Sequence, residues 1–186
     1  MSKVIAEEAF NKGYEVFLHI PMEPEKGSPH WLGKGAITAN LSMNKIRETH
    51  ISDLKSVPHT VGINNHMGSK ITKREDIMKQ VLQLAKERRL VVLDSRTTED
   101  TVIPKLAKEL NIKYVERNVF LDNINSIDHV KKQIRSLANT SLEKGFAVGI
   151  GHVGVGRLPT ARGIKEMVPW LEDQGIELVF VTNLLQ

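Results

Sequence analysis

Six short apolar runs in this 186-residue chain each end on a side chain that can hold a ligand or move a proton. EVFLH stops at His19, TVGINNH at His66, LVVLD at Asp94, NVFLD at Asp122, AVGIGH at His152 and VFVTN at Asn183. Runs of this length read as strands, and in a parallel sheet their C-terminal ends share one edge, where such folds build their sites. Three imidazoles and a carboxylate on one edge suit metal-assisted hydrolysis. Neutral imidazoles hold the ion, an open position takes water, the metal polarises a carbonyl and a separate acid protonates the leaving group. The sequence contains no cysteine, so any metal must be held by His, Asp or Glu.

His19 is followed by IPMEP, which turns the chain out of the sheet and puts Glu23 close enough for two ligands to converge. His66 sits in GINNHMGSK, where Gly62 and Gly68 permit tight turns and Asn64 and Asn65 bring amide donors beside the imidazole. Asp94 opens DSRTT, and Arg96 there could pair with the carboxylate or bind an anionic intermediate. Thr97, Thr98 and Asp100 are equally good helix-entry residues, which is the structural alternative for this cluster. Asp122 could form an ion pair with Arg117 or take part in catalysis. GIGHVGVG carries the glycine spacing of a dinucleotide fingerprint but continues into GRLP without an immediate helix, and GINNHMGSK has the wrong spacing for a phosphate loop. No Gly-x-Ser-x-Gly elbow is present, which argues against a serine hydrolase.

The elements that must position these residues alternate. Strands of four to seven residues are separated by amphipathic stretches, an order that predicts an α/β fold with a mainly parallel sheet. Helices are expected over 42–56, 73–89, 99–110, 127–144 and 161–174. Ser42 is placed to cap the first, Thr72 with Glu75 has capping-box spacing, and Gly145 and Gly175 close the last two. Pro169 is expected to interrupt its helix. An earlier helix presents Val4, Ile5, Ala6 and Phe10 on one apolar face and stops at Gly13. Residues 22–41 form a Pro- and Gly-rich loop longer than an ordinary connector, and Trp31 within it could stack on a sugar ring or pack beneath the loop. One domain over residues 1–186 is expected. The net charge of +4 is scattered along helix faces and aromatics are 5 %, so no nucleic-acid partner is expected. No segment is apolar enough for a membrane span, and no signal segment is expected from the charged start.

In these residues the chain resembles the divergent polysaccharide deacetylases, a branch of the carbohydrate esterases related to NodB. The resemblance runs through HIPMEP at 19–24, GINNHMGSKIT at 62–72, LDSRTT at 93–98, RNVFLDN at 117–123 and IGHVGVG at 150–156. It implies a distorted (β/α) barrel of mainly parallel strands and a metal-dependent removal of acetyl groups from a polysaccharide or oligosaccharide. It further implies His19 and His66 as ligands of a divalent ion, zinc being expected, Asp94 as the catalytic carboxylate and His152 as the general acid. Glu23, Asn65 and Arg96 are expected at the substrate. Family members open with a strand ending in paired aspartates and a second strand, neither of which precedes Met1, so the barrel is expected to be incomplete at its N-terminus. An open sheet edge would then invite self-association. The resemblance also implies export, to a periplasmic or extracellular place, since members of the family are usually exported. Two alternatives remain: a carbohydrate-binding scaffold without turnover, and glycoside hydrolysis by Asp94 and Asp122, which leaves the histidines unused.

Overall fold

A computed structural model describes residues 2–154 and 158–185; the last two residues of the IGHVGVG motif, Val155 and Gly156, lie outside the described residues. The chain forms two compact units, Met1–Tyr114 and Val115–Gln186. The first contains α1 (Ser2–Asn11), β1 (Val16–Met22), α2 (Met43–Ser56), β2 (Thr60–Met67), α3 (Glu75–Glu87), β3 (Val91–Asp94) and α4 (Ile103–Leu110). With β4 (Tyr114–Glu116) the strands form a sheet in the order β1-β2-β3-β4, in which β1, β2 and β3 run parallel. The second unit contains β5 (Val119–Phe120), α5 (Ile127–Lys144), β6 (Gly149–Ile150) and α6 (Leu158–Asp173), with β5 and β6 parallel. The mainly parallel α/β architecture expected from the alternating pattern is therefore present. Among the described residues its strands are bonded as these two sheets.

Strand alternation decides which side chains reach the core. On β1, Leu18, Ile20 and Met22 are buried, and they join Ile63 of β2, Val92 of β3 and the inner face of α3 in one cluster. The inner face of α3 supplies Ile77, Met78, Val81, Leu82 and Ala85, each worth about 1.5–3 kcal/mol when fully buried, alanine less. The alternate set, Phe17, His19 and Pro21, lies on the other face, with Gly62, Asn64 and His66 beside it in register. Gly62 is required there because a Cβ would overlap the Phe17 ring. The second unit has its own cluster, built on Leu121, Val130, Ile134, Ala138, Met167 and Leu171.

Several local expectations need correction. Thr72 is buried in a single 3-10 turn and donates its hydroxyl to the Gly68 carbonyl (2.9 Å), so α3 starts at Glu75 without a side-chain cap. Ser42 does cap α2, accepting from the Lys45 N–H at 3.3 Å. α4 begins at Ile103 rather than 99, where Thr101 Oγ accepts the Ile103 N–H and Pro104 occupies the first turn that suits it. α6 continues past Pro169; burial of Met167 and Leu171 on either side offsets the lost main-chain bond. On α1 only Ala6 is buried, while Val4 and Ile5 are exposed and Phe10 stacks on His59 at 3.7 Å. The expected last strand, ending at Asn183, is irregular over 177–180 and a 3-10 turn over Val181–Leu185. Leu178, Val179 and Phe180 are exposed there, since a strand needs a neighbour to take its main-chain groups. Among the described residues no helix is long and apolar enough to cross a membrane.

His50 on α2 is fully buried, with neither ring nitrogen hydrogen-bonded, and burial pushes its imidazole down to about 4. In the unfolded chain the same group protonates near the ordinary value of about 6.5. Between these values the unfolded state binds more protons, so His50 costs stability as pH falls through that window. The loss is about 2 kcal/mol at pH 5 relative to pH 8, at 1.36 kcal/mol per pH unit of difference. Asp53, one turn along, acts in the opposite sense: burial raises its carboxyl to about 6, so its contribution is largest in acid and fades as pH rises from about 4. Urea unfolding of wild type and His50→Leu across pH 4.5–8 isolates the first effect. The variant should gain on wild type steadily as pH falls, and a pH-independent difference would refute it.

Candidate active site

β1 and β2 carry the two imidazoles to the same face. In register, His19 lies opposite Asn64 and Pro21 opposite His66, so the histidines are diagonal neighbours. Their rings meet edge to face with His19 Nε2 and His66 Nδ1 3.2 Å apart. A tetrahedral ion with nitrogens at about 2.0–2.1 Å sets two such ligands roughly 3.3–3.4 Å apart. The two nitrogens are hydrogen-bonded to each other here, and their separation is close to that of two ligands on a zinc-like ion, which would take the place of the shared proton. Among the described residues no third His, Asp or Glu joins them.

Asp94 ends β3 on the core side of the sheet, two residues after Val92, and is completely buried. Its Oδ1 accepts the main-chain N–H of Arg96 at 2.8 Å, a turn that holds Arg96 at the left-handed φ of 47°. Asn65 is not presented to a ligand as the sequence suggested. It points to the core side of β2, is buried, and its amide is committed: Oδ1 accepts the Ser95 N–H (2.9 Å), while Nδ2 donates to the Met67 carbonyl (2.7 Å) and Thr97 Oγ1 (3.2 Å). Thr97 donates to the same Met67 carbonyl at 2.8 Å. This bracket fixes the chain just beyond His66 to the chain just beyond Asp94, and Met67 itself takes a left-handed φ of 54°.

Glu23 does not converge with His19. Its Oε2 accepts the Ala39 N–H at 2.7 Å and its Oε1 pairs with Lys70, tying the long loop to the turn after β2. The Ala39 N–H and the Lys70 ammonium together hold the Glu23 carboxyl below the usual carboxylate range. The main chain reinforces the tie, with Ile37 bonded to both Pro21 and Glu23.

In the second unit, β5 and β6 bring Asp122 and His152 level, each two residues past a paired position. Asp122 is buried. Oδ1 meets His152 Nδ1 at 2.9 Å, and Oδ2 accepts the His152 N–H at 2.6 Å and the Thr160 hydroxyl at 3.0 Å. Burial raises the Asp122 carboxyl, but these bonds outweigh it and leave it below its ordinary value. The imidazole is half exposed, so its carboxylate side is fixed while the other nitrogen is left to reach a ligand. Arg117, considered as the partner of Asp122, lies with its guanidinium over the Phe120 ring at 3.7 Å. Thr160 was not anticipated; nothing in LPTARG marks its buried hydroxyl, which lies 38 residues from the carboxylate it serves.

Residues 1–185 match the family described as divergent polysaccharide deacetylase. An uncharacterized Escherichia coli protein, YibQ, is 33% identical over 184 residues, covering 99% of this chain and 56% of its own. An uncharacterized Haemophilus influenzae protein is 32% identical over 184 residues, covering 96% of this chain and 61% of its own. The chain thus spans less than two thirds of the length of these relatives. A crystal structure of an uncharacterized Agrobacterium tumefaciens protein superposes with a TM-score of 0.84 at 21% identity, covering 96% of this chain and 71% of that one, a likeness of fold. With the match extending over nearly every residue, the chain belongs to the divergent polysaccharide deacetylase family.

Proposed function

We propose that this chain removes acetyl groups from a polysaccharide or oligosaccharide by metal-dependent hydrolysis, with His19 and His66 as ligands of a divalent ion, zinc by preference. The observation that supports the metal is the 3.2 Å separation of His19 Nε2 and His66 Nδ1. Such an ion, when bound, polarises the acetyl carbonyl and lowers the proton affinity of its water. In the second unit, Asp122 orients the His152 imidazole through Nδ1, the arrangement of a general acid, and we assign His152 that role. Asp94 sets the turn that carries Arg96, and Asn65 holds the backbone after His66; both are positioning residues.

Elemental analysis tests the metal, and acetate release from acetylated glycans tests the chemistry. Wild type should hold about one divalent ion per chain, and His19→Ala with His66→Ala should lose both the ion and at least about 10²-fold of acetate release. Metal retained by the double variant, or acetate release indifferent to a chelator, would refute the proposal. The other reading, a carbohydrate-binding scaffold, draws on the finding that only two ligand side chains stand together among the described residues. It predicts glycan binding that survives a chelator, without acetate release.

A further inference from the structure

We infer that the cleft between the loop after β1 and the turn after β2 is a subsite for an uncharged pyranose ring of the substrate chain, with the Trp31 indole as its stacking platform. The identity of the ligand rests on the deacetylase reading; the place rests on the geometry of this unit. The cleft has a volume of about 610 Å³ and is lined by Glu23, Gly27, Leu32, Thr38, Asn40 and Lys70 among others. That volume lies in the range of small-molecule sites, roughly 300–1,000 Å³.

Trp31 adjoins the cleft, with its ring against the lining residue Gly27, and is 62 % exposed. An indole left this open gives up most of its hydrophobic burial, which is a strong reason to look for a flat apolar ligand. It is also held. Trp31 ends a 3-10 turn, Pro29–Trp31, in which its N–H bonds the Ser28 carbonyl at 3.0 Å and the His30 N–H bonds Ser28 Oγ at 3.3 Å. Its ring lies close against Gly27, where a Cβ would come within 3.2 Å of two ring carbons, and Gly27 has a φ of 142°. Glycine there is what lets the ring sit. A pyranose offers one face of C–H groups to such a ring and a rim of hydroxyls to polar neighbours, which Thr38 and Asn40 supply as donors and acceptors.

The charges exclude an anionic occupant as the better fit. Lys70, the lining cation, is paired with Glu23, and Lys73 nearby is paired with Glu25 and Asp100. A phosphate or carboxylate would have to displace these partners, whereas a neutral sugar leaves them in place. Glu23 and Lys70 each lie four residues past an imidazole on β1 and β2. At about 3.3 Å per residue the cleft lies at most roughly 13 Å from the imidazole pair, within reach of a neighbouring sugar on the same glycan chain.

The test uses Trp170→Phe as background, leaving Trp31 as the one indole, with an N-acetylated chitin tetramer as probe. Saturable change in Trp31 fluorescence, insensitive to added salt, is expected. Trp31→Ala and Gly27→Ala, which displaces the ring, should each weaken tetramer binding by about tenfold, with Trp31→Phe retaining most of it. Acetate release from p-nitrophenyl acetate should be unchanged in all three. No saturable signal, or equal tetramer affinity in Trp31→Ala and its parent, would overturn the subsite. Trp31-dependent binding without acetate release from any substrate would leave the subsite standing and remove the deacetylase reading. Acetate release from tetramer with the same kcat/KM in wild type and Trp31→Ala would do the reverse.

Discussion

Asp122→Asn should lower acetate release from an N-acetylated sugar by about 10²–10⁴-fold and leave release from p-nitrophenyl acetate nearly unchanged. The asymmetry follows from the bonds around the carboxylate. Oδ2 receives two donors, the His152 N–H and the Thr160 hydroxyl, so an asparagine must place its carbonyl oxygen there. Its NH₂ then faces His152 Nδ1, which can no longer keep a proton on that side. The imidazolium that would hand a proton to the leaving group loses the carboxylate opposite it. A sugar amine needs that proton to depart, whereas nitrophenolate leaves without it. Equal losses on both substrates would instead make Asp122 a purely structural residue.

Asn65→Ala should cost about 2–3 kcal/mol of unfolding free energy, measured by urea denaturation. One buried amide satisfies the Ser95 N–H, the Met67 carbonyl and the Thr97 hydroxyl. The Ser95 N–H loses this acceptor in the buried interior, at about 1–3 kcal/mol, while the part-buried Met67 carbonyl and Thr97 hydroxyl keep each other and lose only the second bond from the amide. Asn65→Asp is a sharper control. It retains an acceptor for the Ser95 N–H but sets an oxygen against the Met67 carbonyl, and it should recover less than half of the loss. A change of under about 1 kcal/mol for alanine would show that Met67 and Arg96 hold their left-handed conformations without the bracket.

Much of this arrangement was legible because strands and polar strand ends are local signals. The period-two alternation of VFLHIPM separates His19 from the Leu18, Ile20 and Met22 set without any structure. Asp122 and His152 were legible only in part. NVFLD and AVGIGH mark the two strand ends, but their pairing depends on register: with Phe120 opposite Ile150, both side chains arrive two residues later at the same level. Arg117 is the nearer candidate in sequence, and its guanidinium is found over the Phe120 ring. Glu23 and Asn65 look like ligand groups by type. What commits their polar atoms is long-range, a lysine 47 residues away for Glu23 and a main-chain N–H 30 residues away for Asn65. VFVTN has the composition of a strand, but among the described residues it is not assigned to a sheet, and composition cannot supply a neighbouring strand.

The division of β1 into two faces has an evolutionary consequence. Because the imidazoles occupy the face away from the Leu18, Ile20 and Met22 cluster, their replacement removes no core packing. A lineage could therefore lose or re-acquire the two nitrogens by single substitutions while its fold remained selected for glycan recognition alone. Binding-only and hydrolytic members would then be separated by a few neutral steps rather than by a stability barrier, so function in this family can drift independently of architecture.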